Sequence, residues 1–236
     1  MNTNIRVKFR KYGCLKFIGH LDVMRYFQKA IRRADIAVCY SEGFSPHMIM
    51  SFAAPLGVGL TSDGEYMDIS VKSAPSSAEA VKRLNEVMAE GIDVVSWRAL
   101  PKNSKNAMSI VAAADYEVRF REGCEPFGGW PEKLREFLQL REIRILKKTK
   151  KGYQETDIRP WIYNCTIEDG VIAMRVSAGS VHNLKPELLA EAFGDWAGVK
   201  IPVSALLIHR KEIYADQGTE EKHSFISLEA LGEEIG

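Results

Sequence analysis

Ile5, Val7 and Phe9 alternate with Arg6, Lys8 and Arg10. That period of two predicts a half-buried strand with a basic outer face, ended by Gly13. From His20 the spacing lengthens. Leu21, Met24, Phe27, Ile31 and Ala34 recur at helical intervals and predict a core-facing stripe. Gly19 can cap that helix, and Asp22 in its first turn complements the helix dipole. Residues 36–40 read as a second strand and 65–71 (EYMDISV) as a third. Ser76 and Glu79 form a capping-box pair ahead of Val81, Leu84, Val87 and Met88, so a second helix is expected to run to Gly91 as its C-cap. Residues 92–97 make a fourth strand.

The order is βαββαβ, a split ferredoxin-like unit. Pro101 and the asparagines up to Asn106 suggest a linker, after which the pattern approximately recurs. Residues 113–120 read as a strand, and Trp130-Pro131 opens a helix through Leu134, Phe137 and Leu138. Residues 143–148 and 153–158 suggest a hairpin turned at Lys151-Gly152, and 161–167 and 171–176 another across 168–170. A short helix follows Pro186, and 203–208 is a last strand. The expected fold class is therefore α+β: two ferredoxin-like (βαββαβ) units, the second with an extra hairpin. The expected boundaries are 1–100, 107–214 and an acidic, loosely held tail over 215–236.

Charge sharpens this picture. The formal net charge is only +1, yet residues 1–50 carry nine Lys/Arg against three Asp/Glu, and residues 141–151 carry six against one. Clustered cations with few acidic neighbours suit salt-sensitive contact with phosphates. Arg6, Lys8, Arg25, Lys29, Arg32 and Arg33, with Lys147 and Lys148 as a second stripe, are the candidate nucleic-acid contacts. Tyr12, Phe17, Tyr26 or Phe44 would stack bases where exposed. An ordinary solvated helix face is the competing reading. No apolar run approaches the roughly 20 residues that span a bilayer, and the N-terminus lacks the apolar region of a secretory signal. The four cysteines are scattered without a CxxC pair. Together these lead to an expected cytoplasmic location.

The stretch 40–59 (YSEGFSPHMIMSFAAPLGVG) concentrates candidate chemistry. His20, Asp22, Tyr40, Ser41, Phe44, Ser45 and His47 are the candidate pocket residues, with a long connection covering the core as the plainer alternative. The PLGVG segment matches neither phosphate-loop spacing. His20, Asp22 and His47 are metal-binding types, but nothing in their spacing aims them at one point, so no metal site is expected. No nucleophile–base pair stands out, and His20 or His47 acting as a general base is the enzymatic alternative. Asp157 and Arg159 share one side of an extended segment, where an internal ion pair or an arginine anchored to backbone is expected.

Residues 11–25 (KYGCLKFIGHLDVMR), 30–46 (AIRRADIAVCYSEGFSP) with His47, and Pro55-Leu56-Gly57 followed by Glu65 resemble a bacterial family of radical-SAM-linked proteins. Fainter likeness continues through residues 157–160, Lys185-Pro186 and Ile208-His209-Arg210. One departure is Gly19, where the family usually has Ser. The resemblance implies a helper to a radical SAM enzyme, acting on structured RNA or a ribosomal component. This chain lacks the CxxxCxxC pattern, so an iron–sulfur cluster and SAM would belong to the partner and no cofactor to this chain. Three readings follow: a non-catalytic module binding RNA or a partner, a metal-independent nuclease, and a purely protein-binding adaptor.

Overall fold

The computed structural model describes residues 2–149, 152–219 and 221–236, without the side chains of residues 147–149 and 153. It is mixed α+β. In chain order the elements are β1 (Thr3–Lys11), α1 (His20–Arg33), β2 (Met50–Phe52), β3 (Thr61–Val71), α2 (Ser77–Val87), β4 (Ile92–Ala99), α3 (Ala107–Ile110) and β5 (Val111–Phe120). They continue as α4 (Trp130–Leu138), β6 (Arg144–Thr149), β7 (Gly152–Asp157), β8 (Ile162–Glu168), β9 (Val171–Ser177), α5 (Pro186–Ala197), β10 (Leu206–Asp216), β11 (Phe225–Ser227) and β12 (Glu233–Glu234). Two compact units result: Met1–Ala112 with Arg210–Gly236, and Ala113–His209.

In the first unit the strands run β12-β4-β1-β3-β10, with β2 added to β3 and β11 to β10. β1 is antiparallel to both β3 and β4, and β2 is antiparallel to β3. Ile5, Val7 and Phe9 of β1 join Phe27 and Ile31 of α1, Leu84 of α2 and Trp97 of β4 in one buried cluster. A second cluster holds Tyr66, Ala107, Ile213 and Leu228. Arg6 and Lys8 meet this C-terminal region: Arg6 donates to the Leu228 carbonyl (3.1 Å), and Lys8 Nζ pairs with Glu229 (2.9 Å). So the basic outer face expected of β1 is solvated only at Arg10. The segment around Leu228 covers Arg6 and Lys8.

Other elements differ from the pattern for identifiable reasons. In α1 the buried residues are Val23, Phe27, Ala30 and Ile31, while Leu21 stays 58% exposed. A run of i+3 steps drifts around a helix of 3.6 residues per turn, which carries Leu21 off the inward face. The strand expected over 36–40 reduces to single bridges, Val38 to Val71 and Tyr40 to Met48, and β2 pairs with β3 through residues 50–52 instead. α2 stops at Val87, with Met88 already extended. Gly91 is not its cap: it sits at φ +106°, where a Cβ would meet Leu15 Cγ at 2.9 Å and the Tyr12 carbonyl at 3.0 Å. The expected tail is tied down, since Leu228 is fully buried, β11 pairs with β10 and β12 with β4. Residues 210–236 belong to the first unit, so the division also differs from 1–100, 107–214 and 215–236.

In the second unit the order is β10-β5-β9-β8, with β8 and β5 both antiparallel to β9. The expected turn between β8 and β9 places Asp169 and Gly170 at φ 49° and 74°. β6 and β7 form a separate two-stranded antiparallel sheet. α4 and α5 meet through Phe137 and Phe193, with ring centroids 5.7 Å apart. Asp157 accepts the backbone N–H groups of Ile143 and Arg159, and the Arg159 guanidinium donates to the Ile162 carbonyl, so this arginine is anchored to backbone.

Candidate functional site

The stretch 40–59 divides into two parts. Its first part folds on itself: Ser41 N–H donates to the His47 carbonyl (2.8 Å), and Ser41 Oγ accepts the His47 backbone N–H (3.1 Å). Ser41 Oγ also lies 2.8 Å from His47 Nδ1. A lone pair is therefore available to a protonated Nδ1, and a proton to a neutral one, so the contact survives either state of the ring. At the tip, Phe44 is fully exposed, and Ser45 and Tyr40 also face solvent. His47 lines a cavity of about 320 Å³ with Met50, Ser51, Ser104, Lys105 and Asn106. Asn106 Nδ2 donates to Ser51 Oγ (2.7 Å), and Ser70 Oγ donates to Asn4 on another wall.

The second part meets the start of α1. His20 is half-buried with its ring edge-on to Phe52, centroids 5.1 Å apart, and the Gly59 N–H donates to the Lys16 carbonyl (2.8 Å). Gly19 occupies the N-cap, and Asp22 pairs with Arg25 one turn on (3.2 Å). His20 thus serves the aromatic cluster and His47 serves Ser41. The candidate pocket residues are shared between two places. Among the described residues, no group of three or more His, Cys, Asp or Glu side chains is placed to hold a metal ion.

The candidate phosphate contacts separate just as clearly. Arg25, Lys29, Arg32 and Arg33 are all exposed on α1, at i, i+4, i+7 and i+8. Arg33 also donates to the Val87 carbonyl (3.0 Å) at the end of α2. Arg6 and Lys8 are corrections. Arg6 is 1% exposed and pairs with both carboxylate oxygens of Asp68 (2.8 and 2.9 Å). Lys8 Nζ sits between Glu212 (2.7 Å) and Glu229 (2.9 Å). Charges taken out of water require such partners, and partnered this way they cannot reach phosphate. The side chains of Lys147 and Lys148 lie outside the described residues.

Sequence reasoning missed a buried charge cluster. Arg210 and Glu65, both almost fully buried, pair through two contacts, with Arg210 Nε donating at 2.8 Å. Arg210 also donates to the Ala54 carbonyl (2.8 Å). Lys11, 2% exposed, donates to the carbonyls of Lys16 and Ile18 just before α1. Burial lowers the Lys11 pKa, and Arg210 adds to the effect while Glu65 opposes it. A signal was available: Arg210 continues the inward register of Leu206 and Ile208 along β10. Tyr66 donates to Glu212 (2.6 Å), and burial followed by that carboxylate raises its pKa.

A family model described as an uncharacterized protein conserved in bacteria (DUF2344) matches residues 4–186. The chain belongs to this family. Its match takes in the α1 cations, the 40–59 stretch, Lys11 and Glu65. No curated protein matches. Among solved structures, the chain is similar to an unknown protein from Galdieria sulphuraria at 12% identity, covering 89% of this chain and 98% of that one. The TM-score of 0.27 carries no argument about fold or function. No helix among the described residues is long and apolar enough to cross a membrane.

Proposed function

We propose that this chain is an RNA-binding accessory module that presents a structured RNA, free or within a ribosomal particle, to a separate radical SAM enzyme. One observation carries the RNA part: α1 turns four cations to solvent along its length, and Asp22 is the one carboxylate within the helix. Phe17, 65% exposed just ahead of the helix, supports the same reading, because an exposed ring next to cations suits unpaired bases. The radical SAM partner, with its cluster and SAM, rests on the sequence resemblance, and the cytoplasmic setting on the scattered cysteines and the lack of a secretory signal pattern. The strand order β4-β1-β3-β2 with crossovers through α1 and α2, and the order β10-β5-β9-β8 with α4 and α5, support reading both units as ferredoxin-like.

The test is a titration with a hairpin RNA bearing an unpaired loop, at stepped salt. Affinity falls with salt, and replacing Arg25, Lys29 and Arg32 by Gln lowers the log–log slope by about 0.7–0.9 per lost contact. Phe17→Ala weakens binding by about 1–3 kcal/mol while leaving the slope unchanged. No affinity at low salt overturns the RNA reading. A stable complex with a radical SAM enzyme and no RNA binding would leave the adaptor reading in its place.

The contact between Ser41 Oγ and His47 Nδ1 favours a second reading, a metal-independent nuclease with His47 as base. RNA incubated with the protein and a chelator separates the two. Cleavage that His47→Ala abolishes supports the nuclease; intact, bound RNA supports the module.

A further inference from the structure

A groove in the second unit offers the opposite charge to α1. α5 presents Leu188, Glu191, Ala192 and Asp195 to it, at i, i+3, i+4 and i+7, so one helical face forms a wall. Phe137 contributes to the floor, and Ile145 and Leu146 of β6 face α5 across a groove of about 510 Å³. Two large apolar side chains remain open to solvent there: Leu146 is 71% exposed and Trp196 is 42% exposed. Trp196 is supported from beneath by Phe137 and Phe193, with ring centroids at 5.6 and 6.3 Å. An aromatic ring already held in place loses little freedom when a partner covers it.

The rim is acidic. Glu191 and Asp195 are exposed one turn apart, and Glu187 lies one turn before them. Like charges at this spacing cost a helix about 0.2–0.5 kcal/mol per pair, a cost that a cationic partner would relieve. The guanidinium at the groove, that of Arg144, is already paired with Glu142 (2.8 Å) and Glu155 (3.2 Å). Nucleic acid and anionic lipid would both meet these carboxylates unfavourably.

We propose that this groove is a docking site for a cationic amphipathic segment of a partner protein. The segment sets its apolar side on Leu146, Leu188 and Trp196, and its Lys or Arg side chains over Glu191, Asp195 and the Trp196 ring. It is independent of the α1 contacts that carry the RNA reading, which lie in the other unit.

The full chain is titrated with a Leu/Lys peptide patterned at helical spacing, with its Leu/Glu counterpart and with poly(U), following tryptophan fluorescence. Of the four tryptophans only Trp196 lines the groove, while Trp97 and Trp130 are buried and Trp161 stacks on His182, so the change on binding is that of Trp196 and disappears in Trp196→Phe. Glu191→Lys with Asp195→Lys weakens the Leu/Lys peptide by roughly tenfold and improves the Leu/Glu peptide, a reversal that misfolding cannot produce. Equal binding of the two peptides, indifference to the charge reversal, or preferential binding of poly(U) at this groove overturns the proposal. So does self-association without peptide that the reversal abolishes, which would make a second copy the occupant.

Discussion

Arg210, Glu65 and Lys11 bring three formal charges into the interior of the first unit, in place of apolar side chains. Removing one member leaves another buried without its counter-charge. Arg210→Met is therefore expected to cost about 3–5 kcal/mol in urea unfolding, and adding Glu65→Leu to recover much of that loss. Lys8 and Glu229 give the first unit a pH signature. Burial alone would raise the Glu229 pKa, but bonds from Lys8 and Ser96 outweigh it and hold the carboxylate below its ordinary 4.5. A depressed carboxylate stabilises fully above the unfolded value and loses that contribution as pH falls through the folded one. Stability should thus fall more steeply below pH 4.5 in the parent than in Glu229→Gln. Burial likewise opposes the charge on Lys8, yet Glu212 and Glu229 raise its pKa, so its contribution is lost only as strongly alkaline pH passes the folded value.

At the scale of elements, local signals were the readable ones. The Ser76 cap is an example: its side chain accepts the Glu79 N–H, and Ser76→Ala should cost about 1 kcal/mol by thermal or urea unfolding. The starts of α1, α4 and α5, the β6–β7 and β8–β9 hairpins and strands β1, β3 and β4 were legible because caps, turns and periods act within a few residues. The cover over Arg6 and Lys8 was not, because it comes from Leu228 and Glu229, more than two hundred positions away. An alternating strand reads the same whether its polar face meets water or a distant carboxylate. The candidate site fared likewise. The α1 cations were legible as a helical stripe, but spacing could not tell that His20 would face Phe52 while His47 faced Ser41.

For the molecule as a whole, the family match and the folded unit have different extents. The match runs over residues 4–186, whereas the first unit also needs Arg210–Gly236. A fragment of residues 4–186 would lack Arg210, Glu212, Leu228 and Glu229, so Glu65, Lys8 and Tyr66 would lose the partners these supply. It is expected to show no cooperative melting of the first unit by circular dichroism, while the full chain does.

The bond from Arg6 to Leu228 spans 222 positions. A nascent chain exposes β1 near the beginning of synthesis, and the covering turn emerges only after the whole second unit has been made. More than nine-tenths of translation is therefore a waiting period for that strand, 222 of 236 positions, in which its inward-facing arginine and lysine keep the early product hydrated. A frameshift near codon 225 would then uncover the first strand made as well as alter the last residues, and chaperones should hold this polypeptide longest at its oldest end.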